Sequence, residues 1–238
     1  VEDYAANTDG VENLLEALDG VENLKHVVFT SSMLVCRVGY QPRHPQDYAP
    51  STYYGESKIQ TEKLVREHNT SYSWTLIRPT SIWGPWFGEP YADFFKMVLS
   101  GSYVNLGKHA CCKTYGYIEN AVYQIMSIFD ADSRKVDRQV YYIGDYAPYN
   151  IAEWAVEIGH EAGVRIFTIP FFIFRAAALF GDGLKRLGVR FPMTSFRLKN
   201  MTTDNIIDMT ATKEIAPCLP VTRKEGNVRT IAWLRTGK

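Results

Sequence analysis

The chain has no excess of either charge: Lys plus Arg and Asp plus Glu both number 26 in 238 residues. A neutral molecule has no net field to draw nucleic acid or an anionic membrane, so the expected partner is a small molecule. Cysteine is scarce. Cys36, Cys111, Cys112 and Cys218 show neither the C-x-x-C spacing of a metal site nor the density of a disulfide scaffold, which argues against a metal and for a reduced, cytoplasmic setting. Long apolar runs are missing as well. The most apolar stretch, Ile166 to Phe180, is broken by Pro170 and Arg175 and is shorter than the roughly 20 residues that span a bilayer. It reads as a buried turn and helix, with an interfacial membrane contact as the lesser alternative. There is no basic region followed by an apolar core, so no signal peptide is expected. There is also no initiator Met, and Val1 leads straight into a helix as if an earlier part of the chain were absent. Finally, no glycine-rich phosphate turn follows a strand: the nearest glycine cluster, FGDGLKRLG at 180–188, lacks the preceding strand and has the wrong spacing.

What is present supports a sizeable core. The hydrophobic content is 46% and the charged content 22%, enough for one core or one core plus a small cap. Val11, Leu14, Leu15 and Leu18 recur at helical spacing, and Asn7 with Thr8 offers a capping start, so a helix is predicted over 8–18. HVVFT at 26–30 is short, apolar and β-branched, as in buried parallel strands. A helix over 54–68 and a strand over 74–82 follow, the latter ended by Gly84 and Pro85. Strand, helix, strand in that order predicts a parallel crossover. Beyond Pro85 the pattern predicts a helix at 90–100, a short strand near Tyr103, a helix at 120–130 and a third buried strand at 139–144. A helix at 151–163, a strand at 165–169 and mostly helical sequence complete the chain. Such alternation implies an α/β layered domain with a smaller cap.

Tyr54 and Lys58 form a Y-x-x-x-K pair, which a helix places on one face. A phenol with a reference pKa near 10 is a poor base at neutral pH, and an ammonium beside it favours the phenolate. Such a tyrosine can move the proton of an alcohol while hydride leaves the carbon. With 15 tyrosines in the chain the pair alone says little. Its context says more: Tyr54 opens a helix, and Ser32 lies at the C-terminal end of a predicted parallel strand, where ligands gather in open α/β sheets.

FTSS at 29–32, YYGESK at 53–58 and RPTSIWGP at 78–85 follow one another in an order and spacing that resemble the extended short-chain dehydrogenase/reductases, the NAD-dependent epimerase/dehydratase group. The resemblance implies a partial Rossmann-type doubly wound parallel sheet, with the first strands and the glycine loop missing, and a smaller, mostly helical substrate-binding cap. Residues 1–85 would be the C-terminal part of the dinucleotide-binding domain. Residues 86–238 would be mainly cap, with the strand at about 139–144 returning to the sheet. The implied catalytic residues are Ser32, which orients the reacting oxygen, Tyr54, the acid/base, and Lys58, which tunes Tyr54 and holds the nicotinamide ribose. The implied cofactor is NAD or NADP, placed by Asn7, Thr30, Ser31, Tyr54, Lys58, Pro79 and Ile82. Asn7 has a plain helix cap as its alternative. Ser32, Ser81, Lys113 and Arg197 are assigned to substrate, Arg197 with a surface salt bridge as the alternative. No metal is implied.

Two departures bear on substrate. Sugar-nucleotide enzymes of this group usually have Asn where Ser81 stands and Arg where Lys113 stands, and both replacements weaken diphosphate recognition. The apolar helix expected at 170–188 and the terminal E-G-x-x-x-T-x-x-W pattern also resemble the 3β-hydroxysteroid dehydrogenase branch. Three readings stand: an epimerase/dehydratase-type oxidoreductase acting on a nucleotide sugar or other secondary alcohol, a hydroxysteroid dehydrogenase-like enzyme, and a non-catalytic fragment unable to bind cofactor alone. The resemblance also suggests a homodimer.

Overall fold

The computed structural model describes residues 2–89, 91–107, 111–186, 188–189, 191 and 193–236. Val1, Pro90 at the start of the helix expected at 90–100, and Leu187 in the glycine cluster lie outside the described residues. A 3-10 segment Glu2–Asn7 leads into α1 (Asp9–Asp19), β1 (His26–Thr30), a 3-10 turn Met33–Val35, α2 (Tyr53–Glu67), β2 (Ser73–Pro79), β3 (Ser81–Trp83), α3 (Tyr91–Leu99) and β4 (Val104–Leu106). Then come β5 (Cys112–Lys113), β6 (Tyr115–Tyr117), α4 (Ile118–Asp130), α5 (Ser133–Val136), β7 (Gln139–Ile143), β8 (Tyr149–Asn150), α6 (Ile151–Ala162) and β9 (Phe167–Ile169). Four helices close the chain: α7 (Phe171–Arg186), α8 (Ser195–Thr202), α9 (Thr210–Ile215) and α10 (Arg223–Thr236).

The chain forms two compact units. The first comprises Val1–Ile82, Tyr115–Tyr146 and Ile207–Pro220. Its centre is a parallel sheet in the order β1-β2-β7, with His26 opposite Ser73 and Thr75 opposite Gln139. Side chains alternate between two cores, as the period of 2 requires. Val27, Phe29, Leu76 and Val140 face a layer with Leu15 of α1 and Val65 of α2. Val28, Ile77, Tyr141 and Ile143 face Ala121 and Ile128 of α4 and Val136 of α5. Helices on both faces explain why the strands read as continuous apolar runs. Each fully buried Leu or Ile in these layers is worth about 1.5–3 kcal/mol over exposure. After residue 85 the chain returns to this unit with more than the single strand expected at 139–144: α4 comes back as well, because its apolar face covers the sheet, and 207–220 follows because Ile215 packs on the same layer.

The strand expected to run unbroken from 74 to 82 is interrupted at Thr80. There the backbone N–H and the hydroxyl both donate to the Ile143 carbonyl, at 2.9 and 3.0 Å, drawing the β2 end onto β7.

The second unit comprises Trp83–Thr114, Ala147–Ile206 and Val221–Lys238. It is built round aromatic side chains: Trp83 stacks on Phe95 at 5.5 Å and meets Trp154 edge-on at 5.0 Å. The Trp154 indole N–H donates to the Asn227 side chain of α10 at 2.8 Å, so this buried polar atom is satisfied.

Candidate active site

The site residues expected from sequence that fall in the first unit come from four places: the 3-10 segment before α1, the C-terminal end of β1, the start of α2, and the end of β2 with β3. Lys58 and Tyr54, one turn apart on α2, face the end of β1. The half-buried Lys58 ammonium donates to the Thr30 carbonyl at 3.2 Å and lies 5.9 Å from the centre of the Tyr54 ring. Burial lowers the Lys58 pKa. Ser32, two residues past Thr30, is buried, and its hydroxyl oxygen accepts from the Leu34 N–H at 3.1 Å, capping the 3-10 turn. That bond uses an acceptor lone pair and leaves the O–H to donate elsewhere.

One glycine sets the approach of α2 to this turn. A Cβ at Gly55 would overlap the Leu34 carbonyl oxygen, so only glycine lets the residue beside Tyr54 lie against the segment that carries Ser32. Gly55→Ala is expected to destabilise the fold by about 1–3 kcal/mol and to lower activity further by displacing Tyr54. Urea denaturation and turnover measured on the same variant check both.

Asn7 does not cap α1. The cap residue is Thr8, which makes no side-chain cap bond. The Asn7 amide instead donates to the Ser57 hydroxyl at 3.1 Å, and its carbonyl accepts from Thr61 at 2.6 Å. Asn7 thus ties the N-terminal segment to α2. In the same contact the Tyr4 ring packs on Tyr54 at 5.8 Å; no spacing rule pointed to this partner.

Ser31, expected at the cofactor, turns its hydroxyl inward to Glu62 at 2.7 Å. This exposes the main feature missing from the sequence reading. Glu62 of α2 is 0% exposed and Arg78 of β2 is 1% exposed. They pair bidentately, Arg78 Nε and Nη2 donating to the two carboxylate oxygens at 2.7 and 2.8 Å. The Tyr48 hydroxyl also donates to Glu62 at 2.9 Å, and the guanidinium reaches the Pro45 carbonyl at 2.5 Å and Tyr142 at 3.0 Å. Burial pushes the Glu62 pKa up, but the Arg78 pairing and the Ser31 and Tyr48 hydrogen bonds outweigh it, and the carboxyl is held below its ordinary value. The signal was present: an arginine inside WTLIRP, an otherwise apolar buried strand, requires a partner.

Pro79, Ser81 and Ile82 sit at the end of β2 and in β3, with Ser81 buried. Lys113 and Arg197 belong to the second unit. The Lys113 ammonium donates to the Asn200 carbonyl of α8 at 2.8 Å, and burial lowers its pKa. Arg197 is exposed on α8, one turn before Asn200.

The order of these segments is that of a known group of enzymes. The model of the NAD dependent epimerase/dehydratase family matches residues 1–147, more than half of the chain, and the chain belongs to that family. Among curated proteins it is 26% identical over 240 residues to N-acetyl-alpha-D-glucosaminyl-diphospho-ditrans,octacis-undecaprenol 4-epimerase of Escherichia coli O157:H7, covering 97% of this chain and 71% of that protein. It is 29% identical over 172 residues to UDP-glucose 4-epimerase of Vibrio cholerae, covering 69% of this chain and 51% of that protein, about half its length. In fold it is similar to UDP-glucuronic acid 4-epimerase from Bacillus cereus in complex with NAD, with a TM-score of 0.72 at 14% identity over 97% of this chain and 65% of that one. UDP-glucose 4-epimerase from Thermotoga maritima gives a TM-score of 0.66 at 21% identity over 99% and 71%.

Proposed function

We propose that this chain handles the proton in an NAD(P)-dependent epimerase that inverts a secondary alcohol of a diphosphate-linked hexose. The observation that carries this reading is the Lys58 ammonium, fixed to the Thr30 carbonyl at the end of β1 and facing the Tyr54 ring, with Ser32, whose O–H is available, two residues past that carbonyl. The residues suit the cofactor: Lys58 uses one of its three N–H donors on Thr30, leaving two for a ribose diol. When bound, NAD(P) supplies the hydride acceptor and donor.

In this reading Ser32 Oγ–H donates to the reacting oxygen and orients it. Tyr54 Oη takes the hydroxyl proton and later returns it to the oxygen of the inverted alcohol, so no net proton is consumed. The step requires Tyr54 to start as the phenolate, and the Lys58 ammonium beside the ring is the countercharge for it. Both curated relatives named above carry 4-epimerase names with a diphosphate-linked sugar, which supports the substrate class.

The test is to incubate the intact protein with UDP-glucose, UDP-N-acetylglucosamine and, separately, 3β-hydroxysteroids, following sugar epimers by chromatography and reduced cofactor by fluorescence. Epimer formation without accumulation of reduced cofactor is expected. Steroid oxidation with stoichiometric reduced cofactor would replace this reading by the hydroxysteroid one, and silence with every substrate would favour a non-catalytic role.

A further inference from the structure

The outward face of α7 is built the wrong way round for a helix in water. Among its exposed positions, Phe172, Ala176, Leu179 and Gly183 lie one above another at helical spacing, with Ile173 and Phe180 beside them. Phe172 is 70% exposed, and Leu179 and Phe180 are each 62% exposed. The inward side is small and already packed: Ala178 is buried, and a Cβ at Gly181 would overlap the Met193 carbonyl. The apolar stripe is therefore not a core face left slightly open, since α7 has a separate core face. Phe196 of α8, 72% exposed, adds to the apolar surface of the same unit.

Charge singles out the same region. From Val164 to Thr203 the sequence holds seven Lys and Arg against one acid, Asp182, within a chain whose totals balance. Arg165, Arg175, Lys185, Arg197 and Lys199 are all exposed. The acid is engaged internally, accepting from the Ser195 N–H at 3.1 Å and so joining α7 to α8. The neutral total thus conceals a basic, phenylalanine-bearing segment.

We propose that this face docks the protein on an anionic bilayer, α7 lying in the plane of the interface with its phenylalanines among the upper acyl chains and its cations at the headgroups. A helix face of Phe and Leu with Arg175 beside it, and exposed Arg197 and Lys199 on the adjoining α8, is suited to that position. The helix does not cross: among the described residues no helix is long and apolar enough to do so. A second copy of the chain fits less well, because a two-fold contact would bring two copies of this basic segment together. The docking is independent of the sugar reading and is tested without substrate.

The test is flotation of the intact protein with vesicles of phosphatidylcholine plus phosphatidylglycerol and with vesicles of phosphatidylcholine alone. Binding to the anionic vesicles is expected to be at least about tenfold tighter and to weaken with salt. Phe172→Glu with Leu179→Glu is expected to reduce it by at least about tenfold. Ala176→Glu, which places a good helix former on the same exposed stripe, serves as a second variant, with circular dichroism as the folding check. A Phe172→Trp reporter is expected to shift its emission to the blue on anionic vesicles. Absence of anionic binding, equal binding by folded Ala176→Glu, or a vesicle-free dimer that Ala176→Glu dissociates would each overturn the proposal.

Discussion

Tyr54→Phe is expected to lower kcat by about 10²–10⁴, the usual contribution of a positioned acid/base, with little change in KM. The substitution removes one oxygen and keeps the ring. The contact with Tyr4 at 5.8 Å and the placement of Lys58 against the ring both survive, so the denaturation midpoint should hardly move. That combination separates a chemical role from a packing one. A structural tyrosine losing only its hydroxyl would leave turnover within a small factor of wild type. Lys58→Met is expected to lower kcat as well, and it also deletes the bond to the Thr30 carbonyl; some loss of cofactor affinity should accompany it. Measuring kcat, KM and urea midpoint on both variants distinguishes the two residues.

Arg78→Met is expected to cost about 3–5 kcal/mol, because it removes the bidentate partner of the fully buried Glu62 carboxylate and leaves only the longer contact to Arg66 at 3.7 Å. The double variant Glu62→Leu/Arg78→Met should recover a large part of that loss, since replacing both charges by apolar groups removes the desolvation cost along with the attraction. The pH dependence has a defined sign. Glu62 is held below its ordinary pKa in the folded protein, so the unfolded state binds more protons between the two values. The stabilisation is therefore complete above the ordinary carboxylate range and is lost as pH falls through the folded value. In Arg78→Met burial acts on Glu62 without the guanidinium, and the stability gap to wild type should narrow on acidification. Urea titrations of the three proteins at several pH values measure all of this. Activity should fall along with stability, because the pair joins α2, which carries Tyr54 and Lys58, to β2 and to the Ser31 hydroxyl beside Ser32.

Much of this arrangement is legible in the sequence. HVVFT and QVYYI read as buried strands because helices cover both faces of the sheet, and continuous apolar runs are the consequence. Tyr54 and Lys58 read as one face because four residues make about one helical turn. The break at Thr80 was not legible, since β-branched Thr80 and Ile82 suit a strand, and the two hydrogen bonds from Thr80 to the Ile143 carbonyl are long-range. For Asn7 it is the cap alternative that does not hold: Asn before a helix is a good cap, yet here Ser57, fifty residues away, takes its amide. Long-range polar pairing leaves no periodic trace, which also hid the partner of Arg78. The role of Gly55 could not be read either, because a glycine in the first turn of a helix looks the same whether or not a carbonyl lies against it. The exposed face of α7 was the reverse case. Its apolar content suggested burial, and the structure turns Phe172, Leu179 and Phe180 outward.

The central claim is that Tyr54 moves only the oxygen-bound proton while the carbon-bound hydrogen travels as hydride and returns. Its most direct test is epimerisation of the accepted sugar substrate by the intact protein in D2O, with the product read by mass and proton NMR. The account predicts an inverted sugar with no deuterium at the epimerised carbon, formed by wild type and nearly abolished in Tyr54→Phe. Deuterium at that carbon would mean proton abstraction from carbon, and would contradict it.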